Sequence, residues 1–475
     1  MKSQLFKSLG LFTTLMIVVS SMIGSGVFKK ISHMSWELGN SHAVLLCWVT
    51  AGLITLLGAL SNAEVGSRIA QPGGQYVYFK RMYGKLWGFL YGWASLTVIQ
   101  TATSASVAYV FAESIQSFFV LPNLLEEYSH VQIIGIQPFH NSGVKILALT
   151  TILITTYINT LGVRYGGGIS SILASSLIAC LILLIGIAFV LEPQTGTQLS
   201  YTAQQNPSAD VNLSTFFTAL LAAFWAFEGW NTIGYLGGEI KNAKRNIPIA
   251  LGGGVLLVLL LYAGVNGAFL RVLSVDHFAG IHKANEHGAN LIPALEVIRN
   301  LMGREGVLLL GSIIAISTFN TSNNTIMTSP RVYYAMSKDR LWWQSLANLH
   351  PKRRTPQKAL WLHAIIACVY IISGSFDALT DMLLFSAFIF YAAGAWGVFV
   401  LRKKGMGSQS SIRVPSWIPL VFVCFSIVLV VNSLWVNPVG SLTGLGIVLL
   451  GIPIYLYFLK KRAEHVRNYK RRLNH

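Results

Sequence analysis

Charge is what this sequence has least of. Only 11% of its 475 residues are Asp, Glu, Lys or Arg, against about a quarter in soluble globular domains. With 53% hydrophobic residues, that scarcity excludes a soluble fold. Acidic residues are rarer still, 17 against 35 basic ones, for a net charge of +18. The four cysteines, Cys47, Cys180, Cys368 and Cys424, all sit in apolar runs. Their spacing matches neither a metal module nor a disulfide framework, and the expectation is that they are buried, inert and apolar. The alternating ten-residue segments of a membrane β-barrel are absent. So are a low-complexity linker, a soluble domain, and a cleavage site at the end of the first apolar run. Acidic residues are nearly missing from the middle of the apolar runs, which leaves no acid, base and nucleophile set for an enzyme. No continuous polar track suggests a channel.

What is present is a series of long apolar runs. Each is near the roughly 20 residues a helix needs to cross a bilayer. Twelve spans are expected, at 8–35, 41–66, 86–118, 143–162, 166–191, 212–239, 247–272, 306–336, 358–375, 378–402, 415–436 and 440–460. Seven basic residues, Lys29, Lys30, Lys145, Arg271, Lys283, Arg299 and Arg304, fall in one set of alternate connections, and all the others fall in the opposite set. The positive-inside rule then puts both termini in the cytoplasm and accounts for the net charge without nucleic acid. The basic tail from Lys460 to Arg472 either anchors this topology or binds anionic lipid. The outer connections at 119–142 and 192–211 carry Glu126, Glu127, Glu192 and Asp210. The connection at 273–305 is long and contains a helix-like piece, 292–301.

Two of these runs carry residues unsuited to a regular helix. In the first, Met22-Ile23-Gly24-Ser25-Gly26-Val27-Phe28 places two glycines around a serine. Each glycine costs about 1 kcal/mol relative to alanine inside a helix. A break here would free the N–H groups of Ser25 and Gly26, whose half-helix N-terminus favours a carboxylate. Small residues also serve close helix packing, so both readings stand. In the sixth, Phe224-Trp225-Ala226-Phe227-Glu228-Gly229-Trp230-Asn231 puts a carboxylate and a glycine at mid-depth. Unwinding there would free the carbonyls of Trp225, Ala226 and Phe227 for an ammonium group. Glu228 would meet a substrate amine, hold a proton, or bond the broken backbone. Trp225 and Phe227 either close over a ligand or pack in the core. Two interrupted spans at matching places, each opening five spans, imply inverted halves with the ligand between them. One break suited to a carboxylate and one suited to an ammonium together describe an α-amino acid.

Several stretches resemble the amino acid–polyamine–organocation superfamily, and within it the L-type amino acid transporter family and its bacterial relatives. They are Ile23–Phe28, Ala59–Gly66, Pro72–Tyr78, Phe224–Asn231, Glu239–Pro248, Ser317–Phe319 and Ser329–Met336. The resemblance implies an all-α integral membrane protein of about twelve transmembrane helices, forming a single transporter domain over 1–475. An inverted five-plus-five repeat would occupy 8–191 and 212–402, with its first and sixth helices broken. A further helix pair would follow at 415–461, then a cytoplasmic tail at 462–475. It implies no enzyme and no cofactor or metal, but alternating-access transport of L-amino acids, neutral ones first, by exchange or with protons, in the plasma membrane (a bacterial inner membrane). By the same resemblance the carboxylate contacts fall on Ser25 and Gly26. The amine contacts fall on Met22, Ile23, Trp225, Ala226 and Glu228, and the aromatic gate on Trp225. Gly24, Phe227 and Gly229 complete the expected substrate site.

The chain departs from the family in places. Many relatives carry a fifth-helix lysine where sodium sits in sodium-coupled cousins, and here no lysine occurs between Lys145 and Lys241. Hydroxyls of Ser317 and Thr318, with carbonyls of Ser20 and Ile23, are an oxygen set suited to sodium. Sodium-coupled symport is therefore the alternative reading, and a non-transporting amino acid sensor a third. Asn320 and Asn324 stand where the family pattern has glycines. Animal members join a glycoprotein heavy chain through an outer-loop cysteine; 119–142 and 273–305 have none, so no disulfide-linked partner is expected.

Overall fold

The computed structural model describes residues 7–69, 71, 73–124, 126–129, 131, 138–192, 211–286, 291–373, 376–407 and 412–461. Asp210, Pro72 and the tail beyond Lys461, all singled out above, lie outside the described residues, as does the side chain of Glu126.

The first run is broken as its glycines suggest, into α1 (Leu11–Met22), α2 (Gly26–Lys29) and α3 (Ile31–Leu38). The helices that follow are α4 (Ser41–Arg68), α5 (Gly74–Tyr83), α6 (Lys85–Ala94), α7 (Gln100–Gln116), α8 (Ser142–Leu161), α9 (Val163–Val190) and α10 (Leu213–Ala226). Then come α11 (Ala243–Val272), α12 (Val275–Glu286), α13 (Pro293–Thr328), α14 (Pro330–Lys338), α15 (Gln357–Ser373), α16 (Phe376–Lys403), α17 (Trp417–Val436) and α18 (Pro438–Leu449). Among the described residues, 11 helical stretches are long and apolar enough to cross a membrane, and Gln357–Ser373 is a shorter apolar helix. The protein is thus an all-helical, multi-pass membrane protein. At 28 residues, α4 is about 42 Å long at 1.5 Å per residue, more than the ~30 Å hydrocarbon core. Its start is set by Asn40, whose side chain accepts from the N–H groups of His42 and Ala43 at 2.9 and 3.1 Å, as an N-cap should.

Three features differ from the expected spans. The third span is interrupted by a π-helical turn, Ser95–Ile99. The eighth begins earlier than 306, because Pro293 opens a helix that bends at Gly303 (φ 64°). The piece expected at 292–301 is therefore its first segment, before the bend. The connection after the second span folds into α5, whose polar face makes contacts that a hydropathy pattern does not carry. The cysteine expectation is corrected as well. Cys47 is buried, Cys180 and Cys368 are half-buried and Cys424 is exposed. Hydrocarbon is as apolar as a protein core, so a small thiol is stable on a lipid-facing surface.

The family-like stretches meet at one end of the bundle in ion pairs, those of Glu64 and Glu239 buried and that of Asp339 half-buried. Glu64, fully buried, accepts from Arg402 at 2.9 and 2.7 Å, from Arg68 at 3.1 Å and from the Val414 N–H at 2.8 Å. Arg331 donates to Glu239 at 3.3 Å. Tyr76 and Lys80 both donate to Asp339, at 2.6 and 2.5 Å. A buried carboxylate is stable only when paired and hydrogen-bonded in this way. These contacts tie α4, α5, α14, α16 and the segment after the sixth span together beneath the two breaks.

Candidate functional site

The first break is local. Ile23 leaves helical geometry (ψ 83°), Gly24 N–H folds back onto the Met22 carbonyl at 2.8 Å, and helical bonding resumes with Phe28 and Lys29 donating to the Ser25 carbonyl. Among the described hydrogen bonds, none is donated by the N–H groups of Ser25, Gly26 or Val27. The second break follows α10. Phe227 and Glu228 turn back onto Phe224 and Trp225, and Gly229 adopts φ 104° before a 3-10 helix from Trp230 to Leu236.

The two breaks touch. A Cβ on Gly26 would lie 2.4 Å from the Ala226 Cα, and one on Gly229 would lie 2.4 Å from the Ser21 carbonyl oxygen. Gly26 is therefore required for packing, whatever else it does. Tyr262 on α11 joins the breaks from behind. Its hydroxyl lies 2.9 Å from both the Met22 and the Ala226 carbonyl oxygens, and its single hydrogen serves one of them at a time.

Between the breaks is a cavity of about 10 Å³ lined by Ser21, Met22, Gly24, Ser25, Gly26, Thr103, Val107, Trp225, Glu228 and Thr321. That volume holds about one water, so an amino acid enters only if the lid moves. The indole N–H of Trp225 donates to the Ser25 hydroxyl at 3.3 Å, spanning the two breaks. Glu228 is buried, accepts from the Tyr391 hydroxyl at 2.6 Å, and takes part in none of the described ion pairs.

Of the ten residues expected at the site, Met22, Gly24, Ser25, Gly26, Trp225 and Glu228 line this cavity. Ile23, Ala226, Phe227 and Gly229 do not. Phe227 points the other way, against Tyr262 and Trp48 with ring centroids 4.9 and 6.3 Å apart. The carbonyls expected to be free are partly engaged: Trp225 accepts from the Glu228 N–H at 3.1 Å and Ala226 from Tyr262.

The expected oxygen set is also arranged differently. Ser317 donates to the Ile23 carbonyl at 2.7 Å, but Thr318 turns to its own helix and donates to Ile314 at 2.7 Å. The second hydroxyl that reaches the first break is that of Thr321, 2.9, 3.0 and 3.1 Å from the carbonyl oxygens of Ser20, Ile23 and Ser317. The Ser20 hydroxyl accepts from Asn324 at 2.6 Å. The single Thr321 hydrogen serves one of these three carbonyls at a time. Among the described residues, no group of three or more His, Cys, Asp or Glu side chains is placed to hold a metal ion.

Residues not anticipated from the sequence are Ser21, Thr103, Val107 and Thr321 in the lining, with Tyr262 and Tyr391 behind it. A signal existed for one of them: Thr101-Ala102-Thr103-Ser104-Ala105-Ser106 is a small polar patch inside an apolar run.

The amino acid permease family model matches residues 9–458. The chain is 29% identical over 463 residues to the serine/threonine exchanger SteT of Bacillus subtilis, covering 96% of this chain and 97% of that protein. It is 29% identical over 464 residues to the b(0,+)-type amino acid transporter 1 of Mus musculus, covering 96% and 89%. It is 29% identical over 459 residues to the large neutral amino acids transporter small subunit 2 of Homo sapiens, covering 94% and 80%.

Proposed function

The chain belongs to the amino acid permease family, a family of transporters and not of enzymes, and from that premise we propose that it exchanges small neutral L-amino acids, L-serine and L-threonine first, by alternating access. The observation that carries this reading is the pairing of the breaks across one cavity. Unengaged N–H groups at Ser25, Gly26 and Val27 stand on one side, with Trp225 and the uncompensated carboxyl of Glu228 on the other. The substrate carboxylate takes the N–H groups and its ammonium approaches Glu228, so each charged end meets the backbone or carboxyl that suits it. The likeness to the serine/threonine exchanger supports small neutral side chains. Trp225 acts as the lid, and its bond to Ser25 breaks when substrate enters.

On this reading the chain is one transporter domain whose halves, 8–191 and 212–402, are inverted about the membrane plane. The pair 415–461 lies outside the repeat, and both termini are in the cytoplasm of a plasma membrane. The protein works without a disulfide-linked heavy chain, which the absence of cysteine from its outer connections supports. Thr318 donates to its own helix and turns away from the first break, which favours sodium independence over sodium symport.

The test is counterflow in liposomes holding purified protein. Labelled L-threonine is expected to enter severalfold faster when unlabelled L-serine is inside, at equal rates with and without sodium. Uptake that requires sodium would replace exchange with symport. Failure to move any common amino acid, under sodium or proton gradients, would end the transport reading.

A further inference from the structure

Two helices that border the cavity between the breaks are joined by an ion pair further along. α2 borders the cavity with its first residue, Gly26, and α7 with Thr103 and Val107. Lys29, the last residue of α2, donates to Glu113 of α7 at 2.7 Å, and the two side chains are only 11% and 4% exposed. Glu113 is six residues, or about 9 Å, beyond Val107 along α7. It also lines a chamber of about 270 Å³ where α7 ends and α8 and α13 begin. The pair lies at the end of the bundle where α3 leads into α4, and Glu64 lies near the far end of α4.

The choice of charge at this seam is informative in a chain so poor in it. A seam that never opens is served as well by apolar side chains, because replacing a buried ion pair with apolar residues of similar volume is often neutral or stabilising. An ion pair differs in being reversible. Together, the two charges compensate each other; parted, each is hydrated, and the two arrangements differ little in free energy. Apolar side chains would be stable only when closed. The chamber beside Glu113 is where the parted charges would meet water. α2 is also the piece able to move, since the break at Ile23–Ser25 cuts it from α1 while it continues through Lys30 into α3.

We propose that Lys29 and Glu113 are a latch on substrate entry. The pair holds α2 against α7 while the cavity is closed, and parts when an amino acid passes between the chamber and the breaks. Both residues act through the helices that carry them and not by touching substrate. This rests on the transport reading above, on whose orientation the latch is at the outer end.

The test is labelling of Ser25→Cys by a membrane-impermeant thiol reagent, in full-length protein whose four native cysteines are replaced by alanine, in liposomes without substrate. Counterflow of labelled L-threonine is measured beside it. Lys29→Gln and Glu113→Gln are each expected to label about fivefold faster or more, the shift that loss of one such contact gives a two-state balance. Maximal exchange should fall while KM does not rise. The double variant Lys29→Gln, Glu113→Gln leaves neither charge unpaired, which guards against misfolding, and should label as fast as the single variants. Exchanging the charges, Lys29→Glu with Glu113→Lys, should restore slow labelling and exchange toward wild type, a rescue that a merely structural role does not predict. Neutral variants that label and exchange as wild type, or a charge-exchanged variant no better than the single ones, would overturn the latch and leave the transport reading standing. Faster labelling of the neutral variants in a protein that moves no amino acid would support the latch as a closure of the cavity and overturn the transport reading.

Discussion

Gly26→Val is expected to abolish exchange. Even the first carbon of the new side chain would lie 2.4 Å from Ala226 Cα and 2.9 Å from its nitrogen, where real contacts begin near 3.4 Å. The obstacle is backbone, so no rotamer relieves it. The breaks must separate by about 1 Å, which parts Trp225 from Ser25 and Tyr262 from one of its two carbonyls. Overpacking of this kind costs about 1–3 kcal/mol, and more where nothing yields. Counterflow in liposomes should fall about 100-fold or to background, with less protein recovered folded. Ser25→Ala loses only the weak acceptor for Trp225 at 3.3 Å and should retain exchange within about threefold. Equal effects of the two substitutions would contradict the packing described here.

Glu228→Gln is the second large effect. The glutamine carbonyl still accepts from Tyr391, so the pocket keeps its shape. What disappears is the negative charge, which no described cation balances. A hydrogen bond to a charged partner contributes about 1.5–3 kcal/mol, so the KM for L-threonine should rise about 10- to 100-fold. The pH profile separates this from a bracing role. Wild-type exchange should fall as the medium is acidified and the carboxylate takes up a proton, while the variant stays low and flat. A variant with wild-type KM and profile would show that Glu228 only braces the break.

The sequence exposed the breaks because Gly24, Gly26 and the Glu228-Gly229 pair violate otherwise apolar runs. It also exposed nearly every span, since hydropathy is a property of each run alone. What it concealed depends on helix phase and on partners far away in the chain. Trp225 and Phe227 are two residues apart and cannot share a helix face, so only one of them faces the cavity. The same rule separates Ser317 from Thr318 and pairs Ser317 with Thr321, one turn on. Thr103 and Val107 obey it too, lining the cavity together, whereas Ser104 turns to His363 at 2.8 Å. Tyr262 and Tyr391 reach the breaks from α11 and α16, and no local pattern marks either as a neighbour of the first or sixth span. The family resemblance implied where the carboxylate and amine ends would lie, but the requirement for glycine at 26 became a matter of packing only when Ala226 was found against it.

The central claim is that an amino acid sits between the breaks, against Ser25 and beneath Trp225. The most direct measurement is thiol labelling of Ser25→Cys in a chain whose four native cysteines are replaced by alanine, reconstituted in liposomes and active in exchange. L-threonine at concentrations that saturate exchange is expected to slow labelling at position 25 severalfold, and D-threonine to leave it unchanged. Labelling that proceeds at the same rate while L-threonine is being exchanged would place the substrate elsewhere and contradict the account.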